Sequence, residues 1–208
     1  MVNTEFDRAL RDNRLVAIVR GEDARPAVRA LFAAGIRLVE VSLVSTDALR
    51  VIADLAPEVP DDGWLGVGTI RVPGDVDDAL TAGARFAVSP ATTAAVRSAV
   101  VNGLPVLAGV LTPTEIETAL GYGADAVKLF PASLGGVDYL KALRAPFPNV
   151  PFVPVGGVGP VEAAAYLKAG AVAVGVGSPL VGDAADGGDL LALTDRAQRL
   201  LDAIGGAR

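Results

Sequence analysis

Two charged side chains stand inside apolar runs, and their types define the chemistry the chain could do. Lys128 lies in Ala126-Val127-Lys128-Leu129-Phe130-Pro131, and Glu40 lies in Leu38-Val39-Glu40-Val41-Ser42-Leu43. A β-strand alternates faces with period two, so Ala126, Lys128 and Phe130 share one face, as do Leu38, Glu40 and Ser42. An ammonium group on a buried strand face is costly unless it is paired or loses its proton. A neutral amine is the nucleophile that attacks a carbonyl, so Lys128 reads as a Schiff-base lysine. The competing reading is a strand-end lysine whose stem lies along apolar surface while its head reaches solvent. Lys128 is one of only three lysines, and the other two, Lys141 and Lys168, sit in mixed, helix-like surroundings. Glu40 poses the same burial problem with the opposite sign. If both residues point into one interior they offset each other, and a glutamate beside an imine can shuttle protons. A purely structural buried ion pair is the alternative.

Composition removes the main competitors. There is no histidine and no cysteine among the 208 residues. Disulfides, thiol nucleophiles, the usual zinc sites and a serine–histidine triad are therefore excluded. Acid–base work falls to Glu, Asp, Lys, Tyr, a substrate group or water. Aldol chemistry, if present, must run through a lysine imine rather than a histidine-bound metal. A net charge of −6 argues against a nucleic-acid partner. The chain is 51% hydrophobic, with a mean hydropathy of +0.46, so it can bury a sizeable core. No apolar run approaches the about 20 residues needed to span a bilayer, and the N-terminus is charged and mixed, unlike a signal peptide. The expectation is a soluble cytoplasmic protein with no membrane partner.

The elements that position these residues recur. Strands are expected at Leu15–Arg20, Leu38–Leu43, Trp64–Thr69, Phe86–Pro90, Pro105–Val110, Ala126–Phe130, Phe152–Gly157 and Ala171–Gly177. They are short and near-continuously hydrophobic, as parallel strands covered on both faces are. Between them, Thr46-Asp47 opens a helix over Ala48–Leu55, and Pro73-Gly74 leads into Asp75–Ala82. Thr92-Thr93 opens Ala94–Val101, Thr112-Pro113 opens Thr114–Leu120, and Gly159-Pro160 opens Val161–Ala169. Helices end in Ala33-Ala34-Gly35, Thr81-Ala82-Gly83, Gly121-Tyr122-Gly123-Ala124 and Lys168-Ala169-Gly170-Ala171, where glycine suits a C-cap. The signature returns roughly every 20 to 24 residues. Eight βα units read as a (β/α)8 barrel, one domain over residues 1–208, rather than a doubly wound open sheet. The Gly/Asp-rich stretch Gly182–Asp189 reads as a plain loop.

In such a barrel the active site forms at the C-terminal ends of the strands. Arg20 ends the first strand and could hold a carboxylate bidentately, or be a surface arginine. Thr69 offers a hydroxyl, and Pro90 and Phe130 could wall the pocket. Gly156-Gly157 and Gly177-Ser178 follow strands seven and eight. Glycines there let backbone N–H groups approach an anion, with help from a helix start, in a region where barrels often bind phosphate. Tight turns are the plainer reading. The arginines Arg29, Arg50, Arg97 and Arg199 sit in helix patterns as solvated faces.

Taken in order, Val39-Glu40-Val41, Gly66-Val67-Gly68-Thr69, Ala87-Val88-Ser89-Pro90, Lys128-Leu129-Phe130-Pro131-Ala132 and Gly156-Gly157-Val158 resemble the class I aldolases that cleave 2-keto-3-deoxy-6-phospho sugar acids, the KDPG/KDPGal family. The resemblance runs from Ile18-Val19-Arg20-Gly21 to Gly177-Ser178. It implies that Lys128 forms the imine and Glu40 transfers protons. Thr69 and Pro90 would line the pyruvate end, Phe130 would pack beside the imine, and Gly156, Gly157, Gly177 and Ser178 would hold the phosphate. It also implies a homotrimer, no metal and no cofactor. Gluconate-type members resemble Glu-Val-Thr-Leu-Arg-Thr after the catalytic glutamate, and the arginine binds the pyruvate carboxylate. Here the run is Glu40-Val41-Ser42-Leu43-Val44-Ser45, without that arginine. Galactonate-type members also lack it and carry a run like Ile18-Val19-Arg20-Gly21, so Arg20 becomes the expected carboxylate anchor. Val155 stands before the paired glycines, where gluconate-type members tend to have Thr. Both features favour 2-dehydro-3-deoxy-6-phosphogalactonate, cleaved to pyruvate and glyceraldehyde 3-phosphate, over the gluconate epimer. One departure is that a galactonate-type member can carry Asn where Val44 stands. Outside the family, a phosphate-binding barrel isomerase without covalent chemistry, or a catalytically retired binding protein, would keep the glycine pairs without needing Lys128.

Overall fold

The computed structural model describes residues 3–206. Eight parallel strands run in the order β7-β6-β5-β4-β3-β2-β1-β8, so each strand lies beside its sequence neighbour. They are β1 (Leu15–Val19), β2 (Leu38–Ser42), β3 (Trp64–Gly68), β4 (Ala87–Val88), β5 (Val106–Val110), β6 (Ala126–Leu129), β7 (Phe152–Pro154) and β8 (Val174–Val176). A parallel bridge between Val155 and Gly175 joins β7 to β8 and closes the ring. The architecture is a (β/α)8 barrel, not an open sheet. Its helices are α1 (Thr4–Asn13), α2 (Arg25–Ala33), α3 (Ala48–Leu55), α4 (Pro73–Thr81), α5 (Ala94–Val101), α6 (Pro113–Tyr122), α7 (Gly136–Arg144), α8 (Pro160–Lys168), α9 (Ser178–Val181) and α10 (Leu190–Gly205). Among the described residues no helix is long and apolar enough to cross a membrane.

The helix starts follow their expected chemistry with one exception. Thr93 accepts from Ala95 N, and Thr112 with Glu115 forms a reciprocal capping box. Asp47 does not cap α3 with its side chain; it takes a left-handed backbone instead, at φ 49°. The four expected C-cap glycines, Gly35, Gly83, Gly123 and Gly170, all have positive φ. Strands four, seven and eight are shorter than expected. Pro90 and Pro154 lack an N–H to continue a ladder, and pairing at the ends of β7 and β8 is reduced to the single bridge.

Period two sorts the strand residues into two cores. Leu15, Ala17, Val19, Val127 and Leu129 pack outward against the helices, whereas Val16, Ile18, Leu38, Ala126 and Val153 fill the barrel. The sequence reading did not anticipate how the barrel is stoppered. Helix α1 buries only Phe6 and Leu10, one turn apart, and both join the interior core. Phe6 lies 5.2 Å from the rings of Trp64 and Phe86, in tilted contact. Asn3 caps α1 with its side chain, while its N–H donates to Asp125 Oδ1 at 2.6 Å. The buried Asp125 accepts from Val106 N through its other oxygen at 2.9 Å. One carboxylate thus ties the stopper to the barrel's lower rim. With the bottom filled, any ligand must enter from the C-terminal ends of the strands.

Candidate active site

Lys128 and Glu40 both project into the barrel, one layer above the aromatic stopper. Alternation requires this, since Ala126 and Leu38 two residues earlier belong to the interior core. Lys128 is 7% exposed and Glu40 1%, so Lys128 does not reach out to solvent. Lys128 pairs across the sheet with Gly109, and Glu40 with Gly66 and Ile18. The two charges act on each other but form no ion pair. The Phe130 ring centroid lies 5.2 Å from Lys128 Nζ. Glu40 Oε2 is buried with no hydrogen-bond partner. A structural ion pair would satisfy these groups internally. Here the two do not pair, and the bonding capacity of Glu40 Oε2 is unspent. Burial pushes the Glu40 carboxyl above the ordinary carboxylate range, against the opposing pull first of Lys128 and then of Arg20. A carboxyl raised in this way holds a proton more readily than a free carboxylate, which suits it to passing protons.

Two glycines make room for this layer. A Cβ at position 68 would sit 2.7 Å from Glu40 Oε1 and 2.9 Å from its carboxyl carbon. A Cβ at Gly109 would collide with the Pro90 backbone, so the chain after β4 can fold in close beside the strand that pairs with Lys128. Buried Ser89 fixes that approach by accepting from Gly109 N at 3.1 Å.

Thr69 stands at the end of β3 in a left-handed conformation, φ 68°, which is an outlier for a β-branched residue. Its Oγ1 lies 2.7 Å from Oγ of the fully buried Ser42. Observed strain of this kind clusters at ligand sites. In the sequence Ser42 stands out only as a neighbour of Glu40, because a serine in a strand carries no signal until its partner across the sheet is known.

Above the charged layer a cleft of about 340 Å³ opens at the barrel mouth, and its walls include Arg20, Phe130, Val155, Gly156, Gly157, Gly177, Ser178 and Asp186. The structure therefore brings together seven of the eleven residues singled out in the sequence. Lys128 and Glu40 lie below the cleft wall, and Phe130 bridges the levels by lining the cleft while facing Nζ. Thr69 and Pro90 lie outside that wall. Gly156 and Gly157 have φ of 98° and 74°, which an L side chain rarely adopts, so glycine is required there for backbone shape. The expected assistance from a helix start after strand eight is small, because α9 is a single turn. At Gly177-Ser178, backbone N–H groups rather than a macrodipole are what the chain offers an anion. Val44, where a gluconate-type arginine would stand, is 63% exposed and adds no charge to the cleft. Arg20 is exposed and makes no ion pair among the described residues. Its charge is nevertheless felt by Glu40 from the cleft wall.

Asp186 is the charged wall residue the sequence reading missed. It sits in Gly182–Asp189, which is not a plain loop but makes a 3-10 turn at Ala184–Asp186 with Ala184 and Ala185 buried. No cluster of potential metal ligands occurs among the described residues.

Comparison with known proteins places this geometry. The family model for "Aldolase: KDPG and KHG aldolase" matches residues 6–194. The KHG/KDPG aldolase of Escherichia coli strain K12 is 36% identical over 197 residues, 93% of this chain and 91% of that one. A solved structure described as native KDPGal superposes with a TM-score of 0.87 at 33% identity, covering 93% of this chain and 95% of that one. KDPG aldolase from Legionella pneumophila, solved with pyruvate captured as a covalent carbinolamine intermediate, superposes with a TM-score of 0.81 at 29% identity, with 97% of each chain covered.

Proposed function

The chain belongs to the KDPG and KHG aldolase family, and from that premise we propose that this class I aldolase cleaves 2-dehydro-3-deoxy-6-phosphogalactonate reversibly to pyruvate and D-glyceraldehyde 3-phosphate. Lys128 attacks the C2 ketone, and loss of water gives a protonated imine. Glu40, directly or through a water, takes the C4 hydroxyl proton. The C3–C4 bonding electrons flow into the iminium, and the aldehyde departs. Glu40 returns its proton to C3 of the enamine, and water hydrolyses the pyruvate imine to free Lys128. Supporting these roles is the isolation of both charges in the barrel interior, with Glu40 Oε2 unpaired and Lys128 facing Phe130.

The observation that carries the choice of epimer is the composition of the cleft wall. Val155 lines it immediately before Gly156 and offers no hydroxyl toward C4, while Arg20 is the wall's one cation among the described residues. Arg20 then anchors the substrate carboxylate in place of the arginine that Val44 replaces, and Thr69 and Pro90 close the pyruvate end. Gly156, Gly157, Gly177 and Ser178 receive the phosphate. The gluconate epimer is the second reading, favoured by similarity to the Escherichia coli KHG/KDPG aldolase. We extend the proposal to a single domain over residues 1–208 that works as a homotrimer without metal or cofactor.

Borohydride reduction after incubation with pyruvate should add mass to the peptide containing Lys128. Label on Lys141 or Lys168, or none on folded protein, refutes the assignment. Initial rates with the two C4 epimers decide the substrate: the galactonate compound should show the higher kcat/KM, and the reverse order refutes the choice. Sedimentation equilibrium should return three times the chain mass, and a dimer or monomer mass refutes the trimer.

A further inference from the structure

We propose that Asp186 is a positioning residue, which acts by clamping the loop that carries Arg20. The inference rests on the reading of Arg20 as the anion anchor. Arg20 follows the last residue of β1 and has no ion-pair partner among the described residues, so the direction of its side chain depends on the backbone of Arg20-Gly21-Glu22. That backbone is held from two sides. Asp186 Oδ1 accepts from Glu22 N at 2.8 Å, and Ala185 O accepts from Asp23 N at 2.8 Å. Across the loop, Ser45 Oγ accepts from Gly21 N at 3.3 Å, and Gly21 O accepts from Thr46 N at 3.2 Å. Three loops thus converge on Gly21. The convergence is close enough that a Cβ there would lie 2.6 Å from Ala185 Cβ and 2.7 Å from Asp186 Oδ1.

Ala184 and Ala185 are buried, which anchors the turn that presents Asp186. The carboxylate is committed to a backbone N–H rather than to the guanidinium, which leaves the Arg20 charge available to a ligand. Asp186 also lines the cleft, and this defines the competing role. A carboxylate acting directly there would repel an anionic substrate.

The test is a double-mutant cycle on the full chain, with kcat and KM for the phosphorylated keto acid and the pyruvate concentration dependence of methyl-proton exchange in D2O. Asp186→Ala should raise both KM values by about tenfold or more, the effect of losing one hydrogen bond to a charged acceptor, with kcat within about twofold. Asp186→Asn should restore KM, because an amide oxygen can still accept from Glu22 N. In an Arg20→Ala background Asp186→Ala should have no further effect. Ser45→Ala, which loses the opposite clamp without a side chain in the cleft wall, should raise KM in the same way and be equally silent without Arg20. Additive effects of Asp186→Ala and Arg20→Ala, no change in Asp186→Ala, or tighter binding in Asp186→Asn than in the wild type would overturn the inference. If Arg20→Ala itself leaves KM unchanged, the anchor reading fails and this inference fails with it. If Arg20→Ala raises KM and Asp186→Ala does not, only this inference fails.

Discussion

Gly68→Ala tests whether the glutamate's position, and not merely its presence, makes the site. Gly68 has no positive φ, so the added methyl brings no backbone penalty. Its whole effect is steric. The new Cβ would lie 2.7 Å from Glu40 Oε1 and 2.9 Å from the carboxyl carbon, about 0.5–1 Å inside ordinary contact. The backbone of β3 cannot retreat, because Gly68 is paired with Ser42 on one side and Val88 on the other. Glu40 must therefore move. Overpacking of this kind costs about 1–3 kcal/mol, which a folded barrel of this size should survive. A displacement near 1 Å at a reacting group costs about 100-fold in rate. The expected result is a folded protein, by thermal melt and circular dichroism, with kcat/KM reduced about 100-fold and pyruvate still trapped on Lys128 after long incubation. Gly74→Ala serves as the control: nothing lies within 4 Å of its Cβ, and it should be neutral or slightly stabilising. A Gly68→Ala enzyme that is folded and within threefold of wild type would refute the reasoning, since Glu40 would then tolerate displacement.

Glu40→Gln should lower kcat by about 10²–10⁴ and remove the acid limb of the kcat/KM profile, which in the wild type should lie above the ordinary carboxylate range because burial raises this carboxyl. The same shift has a stability consequence: the folded state holds the Glu40 proton at pH values where the unfolded chain has lost it. Wild-type stability should therefore decline as pH rises from about 4.3 toward the raised pKa, and melts of Glu40→Gln should lack that decline; parallel curves would count against the shift. Phe6→Ala removes the ring between Trp64 and Phe86 and should cost about 3–5 kcal/mol, seen as a fall in Tm of roughly 10 °C, while Lys128 is still trapped by pyruvate at low temperature; an unchanged Tm would mean α1 is not the stopper. Ser42→Ala should raise KM for pyruvate several-fold with little change in kcat, because the Thr69 hydroxyl loses its 2.7 Å partner; an equal loss in Thr69→Ser, which keeps the hydroxyl, would instead point to backbone shape at position 69.

What could be read from the sequence divides along a physical line. Lys128 and Glu40 were legible because each breaks an apolar run, and the expense of burying a charge is visible without knowing its neighbours. The barrel was legible for a similar reason, since many βα units repeat a cap at the helix start and a glycine at the helix end. The groups that position these residues were not, because their signal exists only between elements. Gly68 is an ordinary strand glycine until β2 places Glu40 beside it. Ser42 is an ordinary serine until Thr69 turns left-handed to meet it. Asp186 belongs to a Gly/Asp-rich stretch that local rules assign to a loop, and its partner lies 164 positions away in sequence. Helix α1 did leave a local trace, an Asn3 cap with Phe6 and Leu10 one turn apart. Two apolar residues on a polar segment, however, read as a weak surface helix unless an open barrel end is known to need filling. Each missed residue is thus one that acts on a neighbour from another βα unit. A buried charge is something one strand can announce, whereas the geometry of the pair is a property of the closed ring. The geometry is therefore where two members with the same lysine and glutamate can come to prefer different substrates.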